Sequence, residues 1–377
     1  MKNQNLLEEI RQLVSILKNK DLSNLNAVIG VDGFVDEIIH VVDTRENVED
    51  YTRLKTISDF GERLLKAAGL SANIELVPIK VKLGGNGPIL ANALVEYDNN
   101  VSYIGALGKS DIHPVFKDMA ERCQNVISVA DPGHTDAVEF EDGKLMLGKH
   151  ETLKDINWEN IKKEIDINQL AKLLDNTDLL GLENWTMVPY MNGIWKGMIS
   201  EVFPLLKKDK KRIAFFDLAD PEKRTDESIS EALKILEEFS PQFQVILGLN
   251  KKEAVEIAEV LDLEIATREN DIDLQDLTTK IANELDIYCL VVHPVDRASA
   301  YCEGKYYQTV GPYTPEPQLT TGAGDNFNAG FCLAQVLELP VQLSLVLGVF
   351  SSGFYVREAK SPTKKDIVDF LNTWSNK

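Results

Sequence analysis

From Asn26 onward, short apolar runs bounded by turn residues alternate with stretches in which apolar positions recur every three or four residues. This rhythm predicts strands joined by helical crossovers, and therefore a largely parallel sheet. Strands are expected at Asn26–Gly30, Val101–Ile104, Leu179–Leu182, Ile213–Asp217, Val245–Leu249 and Cys289–His293. Helices fit between them. Gly87–Asp98 places Ile89, Leu90, Ala93, Leu94 and Tyr97 on one face, and Ser228–Phe239 and Lys251–Leu261 share that period. Met1–Lys20 reads as an amphipathic helix through Leu6, Leu7, Ile10, Leu13 and Leu17; it lacks the continuous apolar run of a signal peptide.

Two regions switch to a period of two. Glu37–Asp43 and Glu75–Lys82 alternate apolar and polar residues, as do Ala137–Glu141 and Lys144–Gly148 on either side of Asp142-Gly143. Half-buried antiparallel strands are expected there, forming a small sheet beside the main one and acting as a lid over a ligand cleft. The expectation is therefore one α/β domain over residues 1–377, with lid segments within about 36–45, 75–83 and 135–150. A doubly wound dinucleotide dehydrogenase would have the same rhythm, but no G-x-G-x-x-G follows the first strand.

Charge narrows the choice of partners. Forty basic against 60 acidic residues give a net charge of -20, which disfavours nucleic acid and anionic membranes. A nucleotide would then need a locally electropositive seat made of backbone N–H groups, a few cations or a metal. Cys123, Cys289, Cys302 and Cys332 have neither C-x-x-C spacing nor a compact framework, so free thiols in a reducing cytoplasm are expected. The charge run Lys207–Arg212 reads as a solvated helix end before a strand.

Thr320-Thr321-Gly322-Ala323-Gly324 precedes an apolar helical run, so the glycines sit where a loop enters a helix N-terminus and its N–H groups can hold an anion. Asp325, in the first turn, is placed either to take a proton from an attacking hydroxyl or simply to cap the helix. Asn250 and Glu253 follow the apolar strand Val245–Leu249. They could form a capping box, hold metal-bound waters, or do both.

The string T-T-G-A-G-D-N-F-N-A-G-F resembles the C-terminal signature of the ribokinase-like, or phosphofructokinase-B type, carbohydrate kinases, and the resemblance runs from about Val28 to Phe370. It implies a ribokinase-like α/β fold, a central mostly parallel sheet flanked by helices with a small β lid, and ATP-dependent phosphorylation of a hydroxyl on a small sugar or polyol. Gly322, Ala323 and Gly324 would form the anion hole and Asp325 would be the base. Leu83-Gly84-Gly85-Asn86-Gly87 resembles the family's substrate turn, which makes Gly84, Gly85 and Asn86 sugar-binding candidates. Ile29–Asp36 resembles its first strand, with Asp36 the better match to the sugar-binding Asp and Asp32 second. The N-x-x-E motif maps onto Asn250 and Glu253, which would organise Mg²⁺, through water, and the nucleotide phosphates, with Thr321 and Gly324 also on the nucleotide side. Val356–Thr363 resembles the loop beside the adenine pocket.

Some positions depart from the family pattern. Leu319 stands where an Asp commonly helps to hold a monovalent cation, which speaks against potassium activation. His293–Ala298 replaces a glycine-containing turn, and Arg297 is the candidate to supply nucleotide-binding charge there. Ile89 occupies a usual Asn position, so substrate contacts should differ, and Leu180–Met198, with Glu183, Asn184, Trp185 and Trp195, is a candidate contributor, although both tryptophans read first as core. Asp217, at a strand's C-terminal end, lies where open α/β sheets keep their ligands. A nucleoside or vitamin-precursor kinase and an inactive ligand-binding relative are the alternatives. A homodimer through the lid is left open.

Overall fold

The computed structural model describes residues 4–207, 210–268 and 271–375. In chain order its strands are β1 (Asn26–Val31), β2 (Phe34–Arg45), β3 (Tyr51–Arg53), β4 (Leu76–Gly84), β5 (Asn100–Gly105), β6 (Asn125–Ser128), β7 (Gly133–Glu139) and β8 (Lys144–Lys149). They continue with β9 (Leu179–Glu183), β10 (Ile213–Asp217), β11 (Gln244–Leu249), β12 (Thr267–Arg268), β13 (Asp271–Ile272), β14 (Cys289–Val292), β15 (Arg297–Cys302) and β16 (Lys305–Val310).

Nine of these form the main sheet in the order β16-β15-β14-β11-β10-β9-β1-β5-β6. It is parallel from β14 to β6, while β14, β15 and β16 pair antiparallel. Alternate residues feed two cores: Val28, Leu180, Ala214 and Val245 enter one, and Ala27, Ile29, Leu179, Phe215 and Ile246 enter the other. Burial on both faces explains why these strands read as unbroken apolar runs. Helices Asp226–Glu237 and Lys251–Val260 cover the first face; Gln4–Asn19, Asn86–Glu96, Ala323–Val336 and Val341–Glu358 cover the second. Chain order runs outward in both directions from β1 and β9, so the crevice at their C-terminal ends is where this topology accommodates a ligand.

A second sheet contains β2, β3, β4, β7 and β8. The expected hairpin at Asp142-Gly143 is present, and β4 is antiparallel to β2. The β2–β7 pair, however, is parallel, because β7 re-enters from the main sheet after β6 instead of turning back from a neighbouring strand. Nor are β4 and β8 half-buried: Leu76, Ile79, Val81, Met146 and Leu147 are all exposed. Val41, Leu54, Phe60, Val138 and Phe140 make a small core of the sheet's own with helix Ile57–Lys66.

Two further expectations are corrected. Cys289 and Cys302 face each other across β14 and β15 with Cα atoms 4.4 Å apart, and their sulfurs are bonded; only Cys123 and Cys332 are free thiols. The spacing that concealed them is that of direct neighbours in an antiparallel ladder, a pairing the chain's linear pattern does not display. Arg212, assigned to a solvated run, is 1% exposed, because its guanidinium closes over Asp175 and the Lys207 carbonyl. Lys208 and Asp209 of that run, and Met1–Asn3 of the first helix, lie outside the described residues. Among the described residues no helix is long and apolar enough to cross a membrane.

Candidate active site

The strands of the main sheet deliver polar residues to one edge: Asp32 just after β1, Glu183 and Asp217 ending β9 and β10, Asn250 after β11 and His293 after β14. Above them lies a cavity of about 680 Å³, walled on the far side by Phe34, Asp36, Thr135 and Met146 of the small sheet. Helix Ala323–Val336 begins at this cavity. Its cap, Gly322, has φ +96°, and a Cβ there would stand 2.6 Å from the Tyr355 hydroxyl, which donates to the Thr321 carbonyl at 2.8 Å. Only glycine meets both the left-handed backbone and the close approach. The Ala323 N–H turns back to the Thr320 carbonyl at 3.1 Å and is not free for an anion. Gly322 and Gly324 are left as end groups without an intrahelical acceptor.

Asp325, one residue on, is 5% exposed and its Oδ1 has no hydrogen-bond partner among the described residues. Burial, reinforced by the charge of Asp32 and opposed by an Asn86 hydrogen bond, pushes its carboxyl up to about 8. Glu183, Asp217 and Asp325 each present an oxygen within 4.8 Å of the others. Burial and then this crowding raise Asp217 to about 7 and Glu183 well above the carboxylate range. Asp217 accepts from the Ala219 N–H and from Asn328, at 2.9 and 3.1 Å. Asn328 also lies near Glu183, yet neither Glu183 oxygen is within hydrogen-bonding distance of a partner among the described residues.

A testable consequence concerns stability. The folded protein keeps a proton on Glu183 that the unfolded chain releases in the ordinary carboxylate range, so this group makes folding less favourable as pH rises above that range. Glu183→Gln should therefore raise the thermal midpoint relative to the unaltered protein, by more at pH 8 than at pH 5. A gap that narrows with pH in differential scanning fluorimetry would contradict the placement of Glu183.

The remaining candidates sort cleanly. Asp36, Gly85, Asn86, Thr321, Gly322, Ala323, Gly324, Asp325, Asn250 and Glu253 all line the cavity. Asp36 is 4% exposed, its pKa raised by burial and drawn back by Lys82. Gly84 is not on the wall but packs on Asp36: a Cβ there would stand 2.4 Å from the carboxylate carbon. Asp32 does not reach the cavity. It is wholly buried and accepts from the Asn86 and Gly87 N–H groups at 3.1 and 2.9 Å and from Asn184 at 2.6 Å, capping the helix that starts at Asn86. The two carboxylates thus part company, Asp32 beneath the turn and Asp36 facing the ligand space.

Asn250 and Glu253 do form the capping box, at 3.0 and 2.8 Å, and Glu253 also accepts from the Asp220 N–H at 3.1 Å. Burial first, then Asp217, raises Glu253 to about 8. Arg297 is not on the cavity wall; it lies at the start of β15 and pairs both ways with Asp296 at 3.0 Å. The turn before it contributes His293, Pro294 and Val295 instead. His293, half-buried, packs its ring on Phe327 with centroids 4.7 Å apart, and desolvation lowers it to about 4. Asn184 and Met187 reach the cavity, whereas Trp185 and Trp195 are core. Of the tail, Val356 does so. Lys223 and His150, unremarked in the sequence, are also on the wall.

A family model for prokaryotic ketohexokinase matches residues 11–374. A ketohexokinase from Haloferax volcanii is 28% identical over 347 residues, covering 92% of this chain and 90% of that protein. Among solved structures, a ribokinase from Thermotoga maritima superposes with a TM-score of 0.62 at 16% identity, over 92% of this chain and 99% of its own. A nucleoside kinase from Burkholderia thailandensis, solved with inosine, gives 0.60 at 12% identity, over 92% and 98%.

Proposed function

The chain belongs to the prokaryotic ketohexokinase family, and from that premise we propose that its acceptor is a ketohexose and that Asp325 is the base which deprotonates the accepting hydroxyl. It is a ribokinase-like carbohydrate kinase, an ATP-dependent phosphotransferase with an alcohol group as acceptor. One observation carries the residue assignment: a buried carboxylate, one oxygen of which has no partner among the described residues, sits beside the end amides of a helix start, in the same cavity as Asp36 and Asn86.

In this reading Asp36 and Asn86 hold sugar hydroxyls, and Gly84 and Gly85 keep the turn thin enough for them to do so. Asp325 accepts the proton as the hydroxyl oxygen bonds to the terminal phosphorus and the bond to the departing ADP oxygen breaks. The Gly322 and Gly324 amides stabilise the charge on the transferring group. Thr321 and Asn250 lie on the nucleotide side. Asp217, Asp220 and Glu253 offer hard oxygen donors that suit Mg²⁺; since both Glu253 oxygens already accept amide hydrogens, that residue would act through metal-bound water. Mg²⁺ held there supplies neutralisation of the β- and γ-phosphate charge. The small sheet serves as the lid, and its open apolar face at Leu76, Ile79 and Val81 is the surface for a homodimer.

The test is an ADP-release assay with Mg²⁺-ATP over ketohexoses, aldohexoses, pentoses and nucleosides. Ketohexose turnover at least tenfold above the rest is expected; a nucleoside as best acceptor would overturn the substrate class, and no ATP binding in calorimetry would favour an inactive relative. A second measurement is the pH profile. Because Asp325 must be ionised to act and its pKa is raised to about 8, kcat/KM for the nucleotide should climb about tenfold per pH unit on the acid side and level near pH 8. A flat profile from pH 6 to 8 would exclude this base.

A further inference from the structure

Resting on that assignment, the cavity presents a problem of charge. Asp36, Asp217, Asp220, Glu253 and Asp325 all line it, while among the described residues Lys223 is the only Lys or Arg on its wall. A polyanionic triphosphate drawn into this space meets helix-end amides and, for a mobile cation of the protein's own, this single ammonium group.

The backbone takes an unusual course to put it there. Ala219 and Asp220, neither a glycine, hold successive left-handed conformations at φ 56° and 54°. L-residues rarely do so twice in a row, and such strain persists where surrounding contacts over-determine it. Those contacts are present: the Ala219 N–H donates to Asp217, the Asp220 N–H to Glu253, and the Arg224 guanidinium to the carbonyls of Trp185, Thr186 and Val188. The single turn Pro221–Lys223 that follows leaves the Lys223 Nζ 3.1 Å from Asp220 Oδ2. With side chains 50% and 45% exposed, this pair is well solvated and weakly held. Lys223 thus has a resting partner it can leave, and His150, just after β8 on the same wall, lies close enough to feel its charge.

We propose that Lys223 is a catalytic residue which leaves Asp220 when nucleotide binds and pairs with the γ-phosphoryl group during transfer. The strained turn at Ala219-Asp220 fixes where the lysine starts, and Asp220 keeps it ordered while the cavity is empty. As negative charge spreads over the transferring oxygens, a cation at that group contributes more to the transition state than to bound ATP.

Calorimetry with ADP and with the β,γ-imido analogue of ATP, both with Mg²⁺, tests this on the unaltered chain, K223M and K223R. K223M should weaken the imido analogue by about tenfold and ADP by less than about threefold, lower kcat by about a hundredfold and leave the sugar KM within about twofold; K223R should recover part of kcat. Equal weakening of both nucleotides, a kcat within threefold of the unaltered enzyme, or a loss confined to the sugar KM would each overturn the proposal. Lys223 is half exposed, so a thermal midpoint close to that of the unaltered chain is expected and serves as the folding control. Should the unaltered chain turn over no ketohexose, the substrate assignment fails while the two nucleotide affinities still decide the role of Lys223.

Discussion

Asp325→Asn should lower kcat by about 10³-fold and at the same time make the protein more resistant to heat at neutral pH. The first half follows from removing the only carboxylate at the helix start, which general-base catalysis makes worth roughly 10²–10⁴. The second follows from where that carboxylate is kept. With its pKa raised to about 8, folded Asp325 retains a proton that the unfolded chain gives up near pH 4. Stability therefore declines between those values, and an uncharged amide of the same shape abolishes the decline. The midpoint difference between variant and unaltered protein should widen from pH 5 to pH 8, reaching a few degrees. A helix cap of no catalytic importance would behave in the opposite way, since Asn would then be neutral or destabilising and kcat would survive.

Asp32→Ala should have the largest effect on folding. Three donors converge on that carboxylate: two consecutive amides at the start of the helix Asn86–Glu96, and the side chain of Asn184, itself left-handed at φ 62°. Removing the acceptor strands all three in a dry site, at about 1–3 kcal/mol each before relaxation, so a loss of about 3 kcal/mol or more in denaturant unfolding is expected. Asp32→Asn, which keeps one acceptor oxygen, should lose much less. Since Asn86 moves with this turn, the alanine variant should also raise the sugar KM. An unchanged unfolding midpoint would show that Asp32 does not hold the turn.

The parallel strands were readable because burial on both faces leaves an apolar signature that needs no knowledge of partners; β1, β9, β10, β11 and β14 all fall where that signature lies. What escaped depends on contacts remote in sequence. The pairing of Cys289 with Cys302 is a cross-strand register, and the strand β15 that carries Cys302 is short and mixed in character. Likewise, Asp32 and Asp36 look alike on paper, and only the turn of the chain at Asp32-Gly33 sends one under the loop and the other into the cavity. Gly322–Asp325 and Asn250–Glu253 were legible because their local geometry is written in adjacent residues. Lys223 was not, since its importance lies in the absence of other basic side chains on the same wall, which no linear window displays.

The small sheet with its private core of Val41, Leu54, Phe60, Val138 and Phe140 also bears on how such enzymes change over time. The chain makes two excursions into it, leaving the main body after β1 and again after β6 and returning at Gly85 and at His150. Because its packing is largely self-contained, substitutions in it can accumulate with little disturbance to the strand ends that hold Asp217 and Asn250 or to the helix start that holds Asp325. On the proposed assignment, the acceptor's side of the cavity is thus free to drift while the phosphoryl-transfer side stays put, and exchanging the two excursions together between relatives is a route to new sugar preferences on an unaltered catalytic floor.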